Sequence, residues 1–362
     1  MLSIKNVEAT LLQLPLAQPL YLKQQQRTQL IYLAITVHTH QGIDGFGFCH
    51  GFLSPDFKVE HLKVLLELTQ QQLIPAIIDK NIDAVPAILL RQACANVSTQ
   101  ATFAISAIDI ACWDIKAKHQ NKSLSALLGK QTEVQLYGSG GWVDFSDQQL
   151  LTECESYYAQ GVKAYKFKVG GQRDHERIQL LRQHMPDDFT LMVDANEKLS
   201  PAQALELSAV LKAQHILWLE EPLPRDQITA SAALAKQSEV ALAGGENLFY
   251  LNQFAEFCQQ HAGTYLQPDV GRCCGITGFL NIAKLTEQYH LTLCTHLMTE
   301  ISANVLPACK TGKWLEYMLL LPADLFVHPF SIQQGRYISS APDAIGTGVY
   351  FKPEVFEKYK LV

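Results

Sequence analysis

Residues 189–222 read FTLMVDANEKLSPAQALELSAVLKAQHILWLEEP: an apolar run ending near Asp194, an amphipathic stretch, then a second apolar run ending in Glu220 and Glu221. Strand, amphipathic connection and strand in this order predict a parallel βαβ unit. The same rhythm recurs from Val134 onward. VQLYGSGG, AYKFKVG, FTLMVDAN, ILWLEEP, VALAGGEN, TYLQPD, LTLCTHL and KWLEYML are eight short apolar segments separated by amphipathic ones. Eight such units predict a closed barrel.

Six of the segments end in a polar group: Lys168, Asp194, Glu220, Glu246, Asp269 and His296, at steps of 26, 26, 26, 23 and 27 residues. Glu316 follows 20 residues later, in the eighth. One group per unit places them around a single ring, and the catalytic residues of a barrel collect at the C-terminal ends of its strands. Because side chains alternate along a strand, Lys166 and Lys168 share one face, while Lys163, Tyr165, Phe167 and Val169 share the other. Asp194 pairs in this way with Asn196, Asp269 with Gln267, and His296 with Cys294. Glu220 and Glu221 point oppositely, and spacing alone leaves open which of them faces inward.

Carboxylates converging on one point repel strongly in a low-dielectric site unless a cation neutralises them. Asp194, Glu220 and Glu246 form an all-oxygen set of the kind that suits Mg²⁺, or Mn²⁺, and not zinc. A lysine beside a divalent cation and a second lysine is expected to have a depressed pKa, which would make Lys168 a general base. Asp269, one strand earlier, is expected to hold His296 in the tautomer that presents a free nitrogen inward.

The remainder of the chain frames this barrel. IKNVEATLLQLPL and LIYLAITVHTHQGIDGFGF read as antiparallel strands, AQPLYLKQQQRTQ between them as a mobile polar loop, and the region from about Phe57 to Lys118 as helical. In ISAIDIACWDIKAK, Ala104, Ile108, Ala111, Cys112 and Ile115 fall on one helix face. We therefore expect an α+β module over 1–128, the barrel over 129–325, and a turn-rich segment over 326–362 returning to the first module. With 362 residues, 48% of them hydrophobic, a sizeable core is available. The net charge of -6 and scattered Lys and Arg give no reason to expect nucleic acid or a membrane surface. No apolar run approaches the roughly 20 residues of a membrane span, and the N-terminus does not resemble a signal peptide. Nine cysteines without a C-x-x-C pair suggest free thiols in a reducing compartment, so a cytoplasmic protein is expected. Serine-hydrolase, P-loop and dinucleotide fingerprints are missing.

The ordered set Lys166-Phe167-Lys168, MVDAN, WLEEP, GGEN, QPDVGRCCGITG, THLMTEIS and WLEY resembles the mandelate racemase subgroup of the enolase superfamily, and SAIDIACWDIKAK resembles a helix of its capping domain. The resemblance implies an α+β capping domain over a modified (β/α)7β barrel. It also implies Asp194, Glu220 and Glu246 as Mg²⁺ ligands, which selects Glu220 over Glu221. Lys168 would be the base on one face of the substrate and Lys166 its tuning neighbour. His296 with Asp269 would act on the other face, and Glu316 would hydrogen-bond a substrate carboxylate oxygen. The implied chemistry is abstraction of the proton α to a carboxylate through an enediolate, a known pattern for a Lys or His base working with Mg²⁺.

Bases on both faces serve dehydration, racemisation or epimerisation, and cycloisomerisation equally. Lys23 and Arg27, with the glutamines between them, suit a polyhydroxylated small-molecule carboxylate, as does Asn196. A sugar-acid dehydratase giving a 2-keto-3-deoxy acid is therefore the favoured expectation, with a homo-oligomer implied by the resemblance. A non-catalytic binding barrel is the reading from another class. It predicts a lost ligand or base, and none is lost.

Overall fold

The computed structural model describes residues 2–22, 25–50, 59–96 and 101–361. The chain begins with a three-stranded antiparallel sheet of β1 (Ile4–Leu22), β2 (Gln25–Thr39) and β3 (Asp44–His50), in that order. Most of the stretch read as a mobile loop is instead strand. Leu20 pairs with Arg27, Tyr21 with Gln26 and Leu22 with Gln25, after a register shift between Pro15 and Leu20. Backbone pairing within a hairpin is indifferent to side-chain polarity, so the glutamines of the arm extend the ladder. The Ala17 amide donates to Leu320 O at 2.8 Å and pins this arm to the barrel mouth. Lys23 lies outside the described residues.

Helices Val59–Leu68, Val85–Asn96 and Ala101–His119 cover the sheet. The last is buried along nearly its whole length. It runs so close to β3 that a Cβ at Gly45 would lie 2.1 Å from Ala111 O, and one at Gly47 2.1 Å from Ala107 O. Only glycine permits that approach, and it explains GFGF in an otherwise bulky strand.

The barrel strands are β4 (Gln135–Gly140), β5 (Ala164–Lys168), β6 (Thr190–Asp194), β7 (Ile216–Glu220), β8 (Ala241–Gly244), β9 (Tyr265–Leu266), β10 (Thr292–Cys294) and β11 (Gly312–Tyr317). They close in the order β10-β11-β4-β5-β6-β7-β8-β9, every pair parallel. A helix follows each strand except β11, which is the expected (β/α)7β pattern. Each strand sends one residue into a buried interior layer: Tyr137, Ala164, Met192, Trp218, Ala243, Tyr265, Cys294 and Trp314. Large rings opposite small side chains fill the interior, so the barrel is a packed core with a floor and not a pore. The outward faces, including Tyr165, Phe167 and Val169, belong to the larger apolar cluster beneath the helices.

After β11 the chain forms the hairpin β12 (Phe330–Gln333) and β13 (Arg336–Ser339), then a helix over Pro353–Tyr359. That helix was missed in the sequence, where seven residues after Pro353 are too few to display a period. Phe351 packs against Phe46 and Phe48 of β3, with ring centroids 5.7 and 5.1 Å away. Asp114, fully buried, joins three segments. It accepts from the Phe46 amide at 2.9 Å, the Thr347 amide at 2.7 Å and the Tyr350 hydroxyl at 2.7 Å, and it faces Lys118 at 2.8 Å. The eight cysteines whose side chains are described are buried, and no two of them form a disulfide with one another. No helix among the described residues is long and apolar enough to cross a membrane.

The helix Ala101–His119 also docks on the barrel, at the start of the helix Gly275–Gln288. Asp109 accepts from the Thr277 amide at 2.8 Å and its hydroxyl at 2.6 Å, and the Gly275 amide donates to Ser106 Oγ at 3.0 Å. Burial pushes the Asp109 carboxyl up to about 6, against the lowering effect of its Thr277 hydrogen bonds and Lys116. The folded state therefore binds this proton more tightly than the unfolded chain, whose carboxyl titrates near ~3.9. The contribution to stability is present in full below the unfolded value and is lost as pH rises through about 6. In urea unfolding, the stability of the wild type relative to Asp109→Asn is expected to fall by roughly 2–3 kcal/mol between acid and neutral pH. A pH-independent difference would contradict this.

Candidate active site

Lys166 and Lys168 lie on the inward face of β5, one and two turns of the pleat above Ala164 in the floor. Lys163 is exposed, with its ammonium 4.9 Å from the centre of the Tyr158 ring. Alternation likewise lifts Asp194 above Met192, Glu220 above Trp218, Ser139 above Tyr137 and Glu316 above Trp314. Glu246, Asp269 and His296 sit two or three residues beyond their strands, which end at Gly244, Leu266 and Cys294.

Ligand oxygens of Asp194, Glu220 and Glu246 all lie within 4.8 Å of one another, and all three residues are buried. The neighbouring groups account for part of their charge. Lys166 Nζ is 2.6 Å from Glu220 and 2.8 Å from Glu316, and Lys168 Nζ is 2.5 Å from Asp194. Neutral donors hold the remaining oxygens. The Asn196 amide and side chain donate to Asp194 at 2.7 and 3.0 Å, and Gln267 and Trp218 donate to Glu220 at 2.6 and 3.2 Å. Glu221 points away and accepts twice from Asn247, so Glu220 is the inward member of the pair. Burial, then repulsion from Asp194, Glu246 and Glu316, raises the Glu220 carboxyl well above its ordinary range despite Lys166. A divalent cation fits these residues. The donors are all oxygen, they are preorganised by neutral hydrogen bonds, and the two lysines do not offset the acidic charge gathered there.

Lys168 makes a contact that the sequence spacing did not show. Burial works against its charge and Lys166 lowers its pKa further, but Asp194 outweighs both and raises it. The spacing that suggested a second lysine did not reveal that Asp194 Oδ2 would meet the ammonium directly. The Trp142 ring centre is 5.7 Å from the same ammonium. Arg177 holds the Trp142 loop by donating to the carbonyls of Gly141, Trp142 and Phe145 at 2.7, 3.0 and 3.2 Å.

On the other side of the mouth His296 Nδ1 meets Asp269 Oδ2 at 2.8 Å, and Nε2 faces Glu246 at 3.4 Å. Burial disfavours charge on Asp269, but Arg272, with His296 and His50, holds it below the usual carboxylate range. An ionised carboxylate only accepts, so Nδ1 carries a proton toward Asp269 and Nε2 is the nitrogen that faces inward. Leu297 and Met298, next in the chain, take the left-handed conformation (φ 43° and 44°), and the Leu297 amide donates to Glu316 at 2.8 Å. Burial opposes charge on Glu316, yet Lys166 and then His296 bring its pKa down to about 2. So held, Glu316 accepts from Lys166 and Leu297, and donating to a substrate carboxylate would require it to take up a proton.

The structure thus brings together Lys166, Lys168, Asp194, Glu220, Glu246, Asp269, His296 and Glu316. Asn196 stands behind Asp194, and Arg27 is carried on β2 of the hairpin arm. Sequence reasoning missed Ser139, a buried hydroxyl beside Lys166 in register and without a hydrogen-bond partner among the described residues. Its parity with Tyr137 was available, but GSGG reads as a turn. It also missed Arg272, which donates to Glu246 O at 2.9 Å, and His50, which only tertiary structure brings near. An apolar cluster of Leu20, Leu297 and Leu320, with Leu16, Trp142 and Met318, lies between the arm and the mouth.

Residues 149–355 match the family model described as Enolase C-terminal domain-like, and residues 6–129 match that of the Mandelate racemase / muconate lactonizing enzyme, N-terminal domain. The chain belongs to the mandelate racemase/muconate lactonizing enzyme family of the enolase superfamily. Among members of that family, it is 29% identical over 355 residues to an L-talarate/galactarate dehydratase of Salmonella typhimurium, covering 95% of this chain and 88% of that enzyme. It is 32% identical over 253 residues to a 3,6-anhydro-alpha-L-galactonate cycloisomerase of Streptomyces coelicolor, covering 69% and 70%. The crystal structure of L-talarate dehydratase from Polaromonas sp. JS666, complexed with Mg and L-glucarate, matches with a TM-score of 0.89 at 28% identity, covering 100% of this chain and 98% of that one. Lyases and isomerases of the enolase superfamily are therefore both represented among its relatives.

Mg²⁺ at about 100 times its Kd is expected to raise the urea-unfolding free energy by roughly 2.7 kcal/mol relative to EDTA-treated protein. Asp194→Asn and Glu246→Gln should each remove most of that increment. An increment of equal size in either variant would place the cation elsewhere.

Proposed function

We propose that this protein removes the proton α to the carboxylate of a sugar acid and expels the β-hydroxyl, giving a 2-keto-3-deoxy acid. The observation that carries this reading is a buried carboxylate triad flanked by two proton-transfer groups. Lys168 comes from β5 and His296 follows β10, with β11 and β4 between them in the barrel. A substrate carboxylate drawn to the triad would present its α-carbon between the two.

In this reading Lys168 takes the α-proton from one face. Lys166, fixed by Glu220 and Glu316, keeps a second positive charge beside the substrate carboxylate, and the unpartnered Ser139 hydroxyl donates to it. Mg²⁺ held by Asp194, Glu220 and Glu246, or Mn²⁺ on the same donors, would offset the negative charge that develops on the carboxylate as the proton leaves. His296, held at Nδ1 by Asp269 and having taken up a proton at Nε2, protonates the departing β-hydroxyl from the opposite face. Glu316 orients Lys166, and a direct hydrogen bond from it to the substrate would follow proton uptake. Asn196 acts through Asp194, and Lys23 and Arg27 would meet the hydroxylated end of the substrate. The likeness to a dehydratase along nearly the whole chain supports this choice.

Racemisation or epimerisation is the second reading, and the apolar cluster of Leu20, Leu297 and Leu320 favours it. A less hydroxylated substrate would suit that wall, and one lacking a β-leaving group can only be reprotonated. A screen of aldonic, uronic-derived and aldaric acids should show Mg²⁺-dependent keto-acid formation. Lys168→Ala and His296→Asn should each lower it by about 10²–10⁴-fold. Solvent-deuterium incorporation without keto acid would favour the second reading, and unchanged turnover in either variant would contradict both.

A further inference from the structure

We infer that His50, the last residue of β3 in the capping sheet, is a positioning residue for the Asp269–His296 pair. The inference rests on reading that pair as an acid/base unit. His50 is 2% exposed, and its Nε2 lies 3.4 Å from Asp269 Oδ2. That oxygen also meets His296 Nδ1 at 2.8 Å and Arg272 Nε at 3.2 Å, while Oδ1 accepts from the Gly271 amide at 2.7 Å. Two imidazoles from different domains therefore converge on one atom of one buried carboxylate.

The origin of these neighbours gives His50 its distinct part. Gly271 and Arg272 lie two and three residues along the same loop as Asp269 and move with it. His50 comes from the other side of the domain seam. It is held there by the close crossing of Gly45 and Gly47 over the helix Ala101–His119, and by pairing with Tyr32 of β2, whose ring meets its own edge-on at 6.2 Å. A buried carboxylate that loses a polar contact can turn toward the donors it keeps. For Asp269 the groups left at Oδ2 are His296 and Arg272, so the carboxylate would be free to turn between them and the His296 Nδ1 proton would no longer be fixed in one direction. His50 thus makes the acid/base side of the mouth depend on the capping domain being seated, whereas the described ion pair of Lys168 is with Asp194 of the barrel.

The test is the ring spectrum of His296 in full-length, [¹⁵N]histidine-labelled protein with Mg²⁺, recorded at one near-neutral pH and assigned by comparison with His296→Asn. Wild type should show a single Nδ1–H tautomer with a downfield, hydrogen-bonded ring proton. His50→Gln, which places an N–H donor near the same point, should keep that signature. His50→Leu should lose the downfield resonance and show mixed tautomers while still unfolding cooperatively. Should leucine disrupt the sheet, His50→Phe makes the same comparison, since Tyr32 and Phe48 already place rings around the site. A wild-type His296 spectrum in His50→Leu or His50→Phe would overturn the inference. Loss of the signature in His50→Gln would overturn the donor role. The spectrum needs no substrate, so failure of the acid-sugar screen would leave this result standing, and the reverse also holds.

Discussion

The arrangement of this protein turns on one electrostatic constraint: four inward carboxylates, Asp194, Glu220, Glu246 and Glu316, share a buried space with two lysines. Like charges about 4 Å apart repel by about 4 kcal/mol even at an effective dielectric constant near 20. The chain answers this locally. Lys166 bridges Glu220 and Glu316, Lys168 meets Asp194, and neutral donors from Asn196, Gln267 and Trp218 occupy further oxygens. Burial, with repulsion from Asp194, Glu246 and Glu316, still raises the Glu220 carboxyl despite Lys166. Such a site favours a divalent cation and a bound carboxylate, and the proposed chemistry uses both.

Precise placement of these charges depends on a stiff support. The floor of interdigitated rings, Tyr137, Trp218, Tyr265 and Trp314, sits directly below the polar layer. Tyr137 and Trp218 pack edge-on at 5.6 Å, so a shift of one strand would be transmitted to its neighbours. The capping domain is fixed through buried polar contacts and not through apolar packing alone. Asp114 ties the sheet to the C-terminal segment, Asp109 ties the capping helix to the barrel, and His50 reaches Asp269. These contacts require defined geometry, and that sets how the cap sits over the mouth.

Much of this was readable from the chain because a parallel barrel repeats. Period-two alternation put Lys166 and Lys168 on one face and Lys163 on the other, and a step of one unit aligned Asp194, Glu220 and Glu246. What escaped is what a period does not carry. The hairpin arm pairs through its backbone, so its glutamines looked like a loop. Ser139 was hidden by surrounding glycines. His50 and Arg272 act across long separations or within an irregular loop. Sequence spacing showed the second lysine beside Lys168 but not the 2.5 Å contact to Asp194.

The central claim is that Lys168 and His296 address opposite faces of one α-carbon. Its most direct measurement is stereospecific hydrogen–deuterium exchange at that carbon in D₂O with Mg²⁺, comparing Lys168→Ala and His296→Asn on a turned-over acid and its C2 epimer. Each variant should lose exchange with one epimer and retain it with the other, in reciprocal fashion. Loss with both epimers in both variants, or retention with both in either, would contradict the two-faced arrangement.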